Sequence, residues 1–174
     1  RDEYYICREK GINNKKILIS GVYKTPEVIE EMLQDGITDF TIESIEQFEL
    51  LKNANKKIRV IIRITSGNQF GINLEEAEEI IKNHSQYENL DIIGIQYFSG
   101  TQKKSIKNLS RELTFAQEFI DKMKNDYNFE TRELEFGPGF PVCYFQNEEF
   151  DEEEFFKEFS ELIKELPFKG QINL

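Results

Sequence analysis

The chain has few of the side chains that most often build a reactive centre. Its 174 residues include one histidine, His84, and two cysteines, Cys7 and Cys143. A histidine-based triad or a zinc centre needs several such groups at set spacings, so both are excluded as readings. His84 lies in "IKNHSQYENL", between a helical and a strand-like segment, which assigns it a surface or capping role. The cysteines fall in unrelated segments without metal-type spacing, and nothing at the N-terminus resembles a signal peptide; the expectation is a reduced, cytoplasmic protein. Long apolar runs are also missing: stretches such as "VIIRI" fall far short of the roughly 20 residues of a membrane span. There is no cationic excess either. With 33 acidic against 22 basic residues the formal net charge is −11, which excludes the basic footprint that nucleic acid or an anionic membrane requires. Much of the acidity sits in segments such as "EEFDEEEFFKEFSELIKE" and reads as a solvated helix face.

What is present is one alternation from end to end. Short runs rich in Ile, Val, Leu and Phe at 16–20, 38–42, 58–64, 90–98, 132–136 and 170–174 have strand length, and several are continuously apolar, as strands covered on both faces are. Helical segments with start signals separate them. Thr25 precedes Pro26, after which Val28, Ile29, Met32 and Leu33 form one stripe. Ser44 with Gln47, Asn73 with Glu76 and Asp151 with Glu154 have capping-box spacing. Segment 105–127 carries Leu109, Leu113, Ala116, Ile120, Met123 and Tyr127 at steps of three and four, and "DEYYICREKG" reads as a first helix ending at Gly11. Strict alternation with right-handed crossovers implies a parallel α/β sheet, doubly wound or rolled into a barrel. No linker interrupts it, so residues 1–174 are read as a single domain. A complete (β/α)8 barrel needs roughly 250 residues, more than this chain has.

One stretch stands out: "LEFGPGFPV", 134–142, a buried strand that runs into two glycines around a proline. Glycine allows positive φ and close approach to the backbone, so the stretch is either a tight turn or an anion cradle.

Taken in order, the strand ends resemble those of the fold-type III pyridoxal-phosphate enzymes, the alanine-racemase-like barrels that include diaminopimelate, ornithine and arginine decarboxylases. "KILISGVYKTPEVIEEMLQDGITDFTIESIEQFELL" resembles the family's strand, Lys-Thr helix start and Glu-Ser strand end. "IIRIT" resembles its arginine-bearing strand, and "NQFGINLEEAEEII" its Lys-Phe-Gly segment and following helix. "IGIQYFSGTQ" is similar to its Gly-Ile-His-x-His-x-Gly-Ser strand end, and "LEFGPGFPV" to the Leu-Asp-x-Gly-Gly-Gly-Phe-Pro loop that holds the cofactor phosphate. The resemblance covers essentially the whole chain and implies strands three to eight of a partial (β/α)8 TIM-type barrel, lacking the first two strands. It therefore also implies that the lysine that bonds pyridoxal phosphate, carried on the family's first strand, is not in this chain, and that no catalytic residue can be assigned.

Carried over position by position, the resemblance implies that Gly137, Gly139 and Phe140 aim backbone N–H groups at a phosphate. Pro138 stands where the family has a glycine; it lacks an N–H and stiffens the loop. Gly100 and Thr101 match the family's Gly-Ser, with the Thr101 hydroxyl able to donate to phosphate. Phe98 replaces a histidine that stacks on the pyridine ring: an aromatic face can still stack, but it supplies neither donor nor charge. Ser99 replaces an apolar residue and has no assigned role. Arg63 matches an arginine placed beneath the cofactor, while its bland reading is an ion pair with Glu43, since a buried arginine needs a partner. Lys24 lies on a different strand end from the family's cofactor lysine and is not assigned that role.

The implied function is the cofactor-barrel part of a pyridoxal-phosphate-dependent decarboxylase of basic or diamino acids, inactive as this chain alone. The alternative is a non-catalytic, decarboxylase-like protein-binding module. The implied partners are the cofactor and an amino-acid substrate, with no nucleic acid and no membrane. An open six-stranded sheet is further expected to expose an apolar edge and floor, favouring a homo-oligomer or domain-swapped assembly.

Overall fold

The structure, a computed structural model, describes residues 1–144 and 150–174. Six parallel strands pair in sequence order, β1 (Leu18–Ile19), β2 (Asp39–Ile42), β3 (Ile58–Arg63), β4 (Leu90–Phe98), β5 (Glu133–Gly137) and β6 (Gln171–Asn173). Helix α1 (Asp2–Glu9) leads in, and α2 (Pro26–Gln34), α3 (Ile45–Lys52), α4 (Leu74–Lys82), α5 (Ile106–Tyr127) and α6 (Glu152–Glu165) fill the crossovers. Order 1-2-3-4-5-6 without a switch point is the order of a barrel wall and not of a doubly wound sheet. The chain is thus an open arc of an α/β barrel.

Local chemistry sets the helix starts. Thr25, Ser44, Ser105 and Asp151 each accept an N–H from the third residue on, relieving one orphan donor of the first turn. Asn73 makes no such bond, so the capping box expected there is not formed. The outer edge strands are shorter than the apolar runs suggest: β1 keeps two residues because Asn14–Lys16 turns as a 3-10 helix just before it. His84 occupies another 3-10 turn, its Nδ1 2.8 Å from the Ile81 carbonyl and its ring edge-on to Phe129, a capping position.

Alternation along the strands divides the side chains between two faces. Phe40, Ile42, Val60, Ile62, Ile95, Tyr97, Leu134 and Phe136 point to the helices and join the core with Met32, Leu51, Ile81, Leu113 and Met123. The register places the other set on the concave, inner face: Asp39, Thr41, Arg59, Ile61, Arg63, Gln96, Glu133, Glu135 and Asn173. Arg59 bonds Asp39 at 2.9 Å on one side and reaches past β4 to Glu133 at 2.6 Å on the other. The floor is therefore polar, and the apolar floor expected of an open six-stranded sheet is corrected: every run carries polar residues, and the sheet register gathers many of them on one surface. Among the described residues, no helix is long and apolar enough to cross a membrane.

Candidate active site

Two loops meet at the C-terminal ends of β4 and β5, the end of a barrel at which ligands bind. In register, Phe98 pairs with Gly137, and an added Cβ on Gly137 would sit 2.5 Å from the Phe98 ring. The ring thus lies on the glycine. One turn further, Gly139 adopts φ +60°, and a Cβ there would collide with the Gly100 carbonyl. Only glycine lets the loops approach this closely. Among the described residues, the N–H groups of Gly100, Thr101, Gly139 and Phe140 donate to no protein acceptor, and the Thr101 hydroxyl is likewise without a partner. Free N–H groups on two loops held this close are suited to an anion. Pro138, buried between the glycines, contributes none. The Phe140 ring turns away and meets Phe156 and Phe159 of α6 edge-on at 4.9 and 5.0 Å, so only its backbone faces the loops.

Arg63, at the end of β3, lies in register with Gln96, one strand from the cradle. Its guanidinium stands 5.7 Å from the Phe98 ring centroid and 5.4 Å from that of Phe70, and Nη1 donates to Glu43 Oε2 at 2.6 Å. The ion pair with Glu43, the bland reading of Arg63, is formed, and it holds the cation beside Phe98. Ser99, unassigned in sequence, donates to Glu112 Oε1 at 2.6 Å, while Lys103 takes the other carboxylate oxygen at 2.7 Å.

Glu43 is the centre of a buried network that sequence reasoning touched only at its edge. Its Oε1 accepts from the Gly21 N–H at 2.6 Å, the Thr41 hydroxyl at 3.0 Å and Lys24 Nζ at 3.3 Å. Lys24, with its side chain 1% exposed, also donates to the Gly21 carbonyl and to Gln47 Oε1. Burial opposes ionisation of Glu43, but Lys24, Arg63 and the Gly21 and Thr41 donors outweigh it and hold the carboxyl below its ordinary range. Burial pulls the Lys24 ammonium the other way, down from its ordinary value, with Glu43 opposing. Four oxygen acceptors around Nζ, sharing its three N–H groups, suit an ammonium. The sequence signal was available: Thr41 and Glu43 alternate with Phe40 and Ile42, which marks them as inner-face residues.

Below Phe98, Gln96 Oε1 and Glu135 Oε2 are buried without hydrogen-bond partners. Burial raises the Glu135 carboxyl above its ordinary value; the Gln96 amide and Arg63 oppose this, and Glu43 and Glu133 add to it.

The pyridoxal-dependent decarboxylase family model, describing the pyridoxal-binding domain, matches residues 1–173. The chain belongs to this family, whose cofactor is pyridoxal phosphate. Over 94% of its length it is 26% identical to a diaminopimelate decarboxylase of Aquifex aeolicus, and over 77% it is 29% identical to that of Zymomonas mobilis. In fold it is similar to the lysine/ornithine decarboxylase of Vibrio vulnificus complexed with putrescine, at a TM-score of 0.84 and 18% identity over 99% of this chain and 47% of that one. The Methanocaldococcus jannaschii diaminopimelate decarboxylase in complex with L-lysine gives 0.79 and 20% over 99% and 45%. The chain spans 43% of the Aquifex enzyme, less than half the length of the curated relatives it matches.

The cradle fits the phosphate end of that cofactor: it offers unpartnered N–H groups, a free hydroxyl and a nearby guanidinium, all suited to an anion. Phe98 offers a stacking face without a donor.

Proposed function

We propose that this domain holds pyridoxal phosphate in an amino-acid decarboxylase acting on a basic or diamino acid. The observation that carries the reading is the close approach of the loops after β4 and β5, which brings together Gly100, Thr101, Gly139 and Phe140 with their N–H groups unpartnered. In this reading Gly100, Thr101, Gly139 and the Phe140 backbone receive the phosphate, Gly137 seats the Phe98 ring, Pro138 stiffens the loop, and Phe98 covers one face of the cofactor ring. Arg63, fixed by Glu43, supplies positive charge beside it. When bound, the cofactor supplies the electron sink for chemistry at the substrate α-carbon. The substrate class follows from the diaminopimelate decarboxylases among the relatives. Lys24, the one buried lysine among the described residues, is engaged by four acceptors, so these 174 residues hold the cofactor without turning substrate over. The free cysteines Cys7 and Cys143 suit a reducing, cytoplasmic setting.

Titration with pyridoxal phosphate and with pyridoxal, followed by fluorescence, tests this. The phosphate form should bind at least roughly tenfold more tightly, the difference of one or two charge-assisted hydrogen bonds, and Gly139→Ala should remove that preference. Equal, negligible affinity for both would favour the second reading, a decarboxylase-like protein-binding module, which Phe98 and Pro138 also suit.

A further inference from the structure

We infer that Gln102 is a positioning residue that ties the two halves of the phosphate cradle together; the inference rests on the cofactor reading above and deepens it. The cradle has no continuous backbone: Gly100 and Thr101 come from the loop after β4, Gly139 and Phe140 from the loop after β5. Something must fix their spacing. The Gln102 side chain does this by using both ends of its amide on one residue of the other loop. Nε2 donates to the Val142 carbonyl at 3.0 Å, and Oε1 accepts the Val142 N–H at 2.7 Å. The amide thus imitates the pairing of a neighbouring strand just beyond the point where β4 and β5 stop pairing. A third bond, from the Lys103 N–H to the Gly139 carbonyl at 3.0 Å, closes the strap on the cradle side.

The backbone adds a second argument. Gln102 has φ +58°, one of two non-glycine residues in the left-handed region among the described residues. A side chain there is strained where glycine is not, so by conformation alone the position favours glycine. The glutamine is justified only by what its amide does. Asparagine would tolerate the backbone but is one methylene too short, and glutamate would keep the bond from the Val142 N–H while facing the Val142 carbonyl with a second acceptor.

The test compares wild type, Gln102→Gly and Gln102→Glu by two readouts. The first is amide exchange at Val142 and Lys103 without ligand, which reports the strap alone. The second is affinity for pyridoxal phosphate relative to pyridoxal. Gln102→Gly should speed exchange at Val142 and weaken the phosphate form roughly tenfold without lowering the melting temperature, because the glycine relieves the backbone. Gln102→Glu should fall between. Unchanged exchange at Val142 overturns the strap, and faster exchange with unchanged phosphate preference overturns its positioning role. Failure of the wild type to prefer the phosphate form removes the cofactor reading instead, and the strap is then decided by exchange at Val142 alone.

Discussion

Two carboxylates on the inner face, Glu43 and Glu135, meet burial with opposite outcomes, and the difference lies in what surrounds each. Glu43 has two cations and two further donors, so its folded-state pKa is depressed; its stabilising contribution is present above the ordinary carboxylate range and is lost as pH falls through the folded value. Glu135 has an unpartnered oxygen, and its folded-state pKa is raised, so its protonated form suits the fold and the benefit is lost as pH rises through the folded value. Where it is ionised, Glu135 therefore opposes folding. Glu135→Gln should add about 1 kcal/mol at pH 7, because the new amide N–H can meet the orphaned Gln96 oxygen. The gain should vanish toward acid pH, where the protonated Glu135 makes the same donation. Urea unfolding at several pH values checks this; a variant less stable than wild type at pH 7 would show that Glu135 has a partner in solution. The sequence marked Glu43 only as a partner for Arg63 and said nothing of Glu135: Glu43 lies just past β2 and Glu135 within β5, and the groups that face each from neighbouring strands set their behaviour.

At the scale of elements, the helix starts were legible because a cap is a contact within four residues. Thr25, Ser44 and Asp151 do what their spacing suggests, and Ser105 shows the same bond at the start of the longest helix. Asn73 shares the spacing but not the bond, although its φ of −59° and ψ of 151° are those of a residue entering a helix. Identity and spacing permit a cap, and the side-chain rotamer decides it. Ser44→Ala should therefore cost about 1 kcal/mol, and Asn73→Ala should change stability by no more than a few tenths. Parallel urea melts of the two variants measure the contrast. The cradle loops were partly legible for the opposite reason. Gly137 and Gly139 advertise a close approach, but what approaches lies some forty residues away, at Phe98 and Gly100, and local patterning contains no trace of it. The resemblance to a known family supplied that pairing. Gln102 escaped even so, since nothing in its neighbours marks an amide that will pair with Val142.

For the molecule as a whole, the alternation of six strands and their crossovers foretold a parallel sheet, and the chain length with the family resemblance foretold an arc of a barrel. The nature of the inner surface was not foretold. Arg59, Glu133, Glu135 and Asn173 are scattered over three strands, and strand order alone makes them neighbours. That polar floor bears on assembly. Ion pairs such as Arg59 with Asp39 and Glu133 let the concave face meet water, which weakens the case for association driven by an apolar floor. The edges remain: β1 has two residues and β6 three, against six in β3 and nine in β4. An isolated arc should therefore show its slowest amide exchange in β3 and β4, where ladders run on both sides, and fast exchange at Leu18, Ile19 and Ile172, which have one neighbour each. Exchange measured at low and high protein concentration gives the answer. Slow exchange at β1 and β6 that speeds up on dilution would mean that another copy pairs with the open edges. Slow exchange that ignores dilution would place the covering strand within the same molecule, closing the wall that these six strands begin.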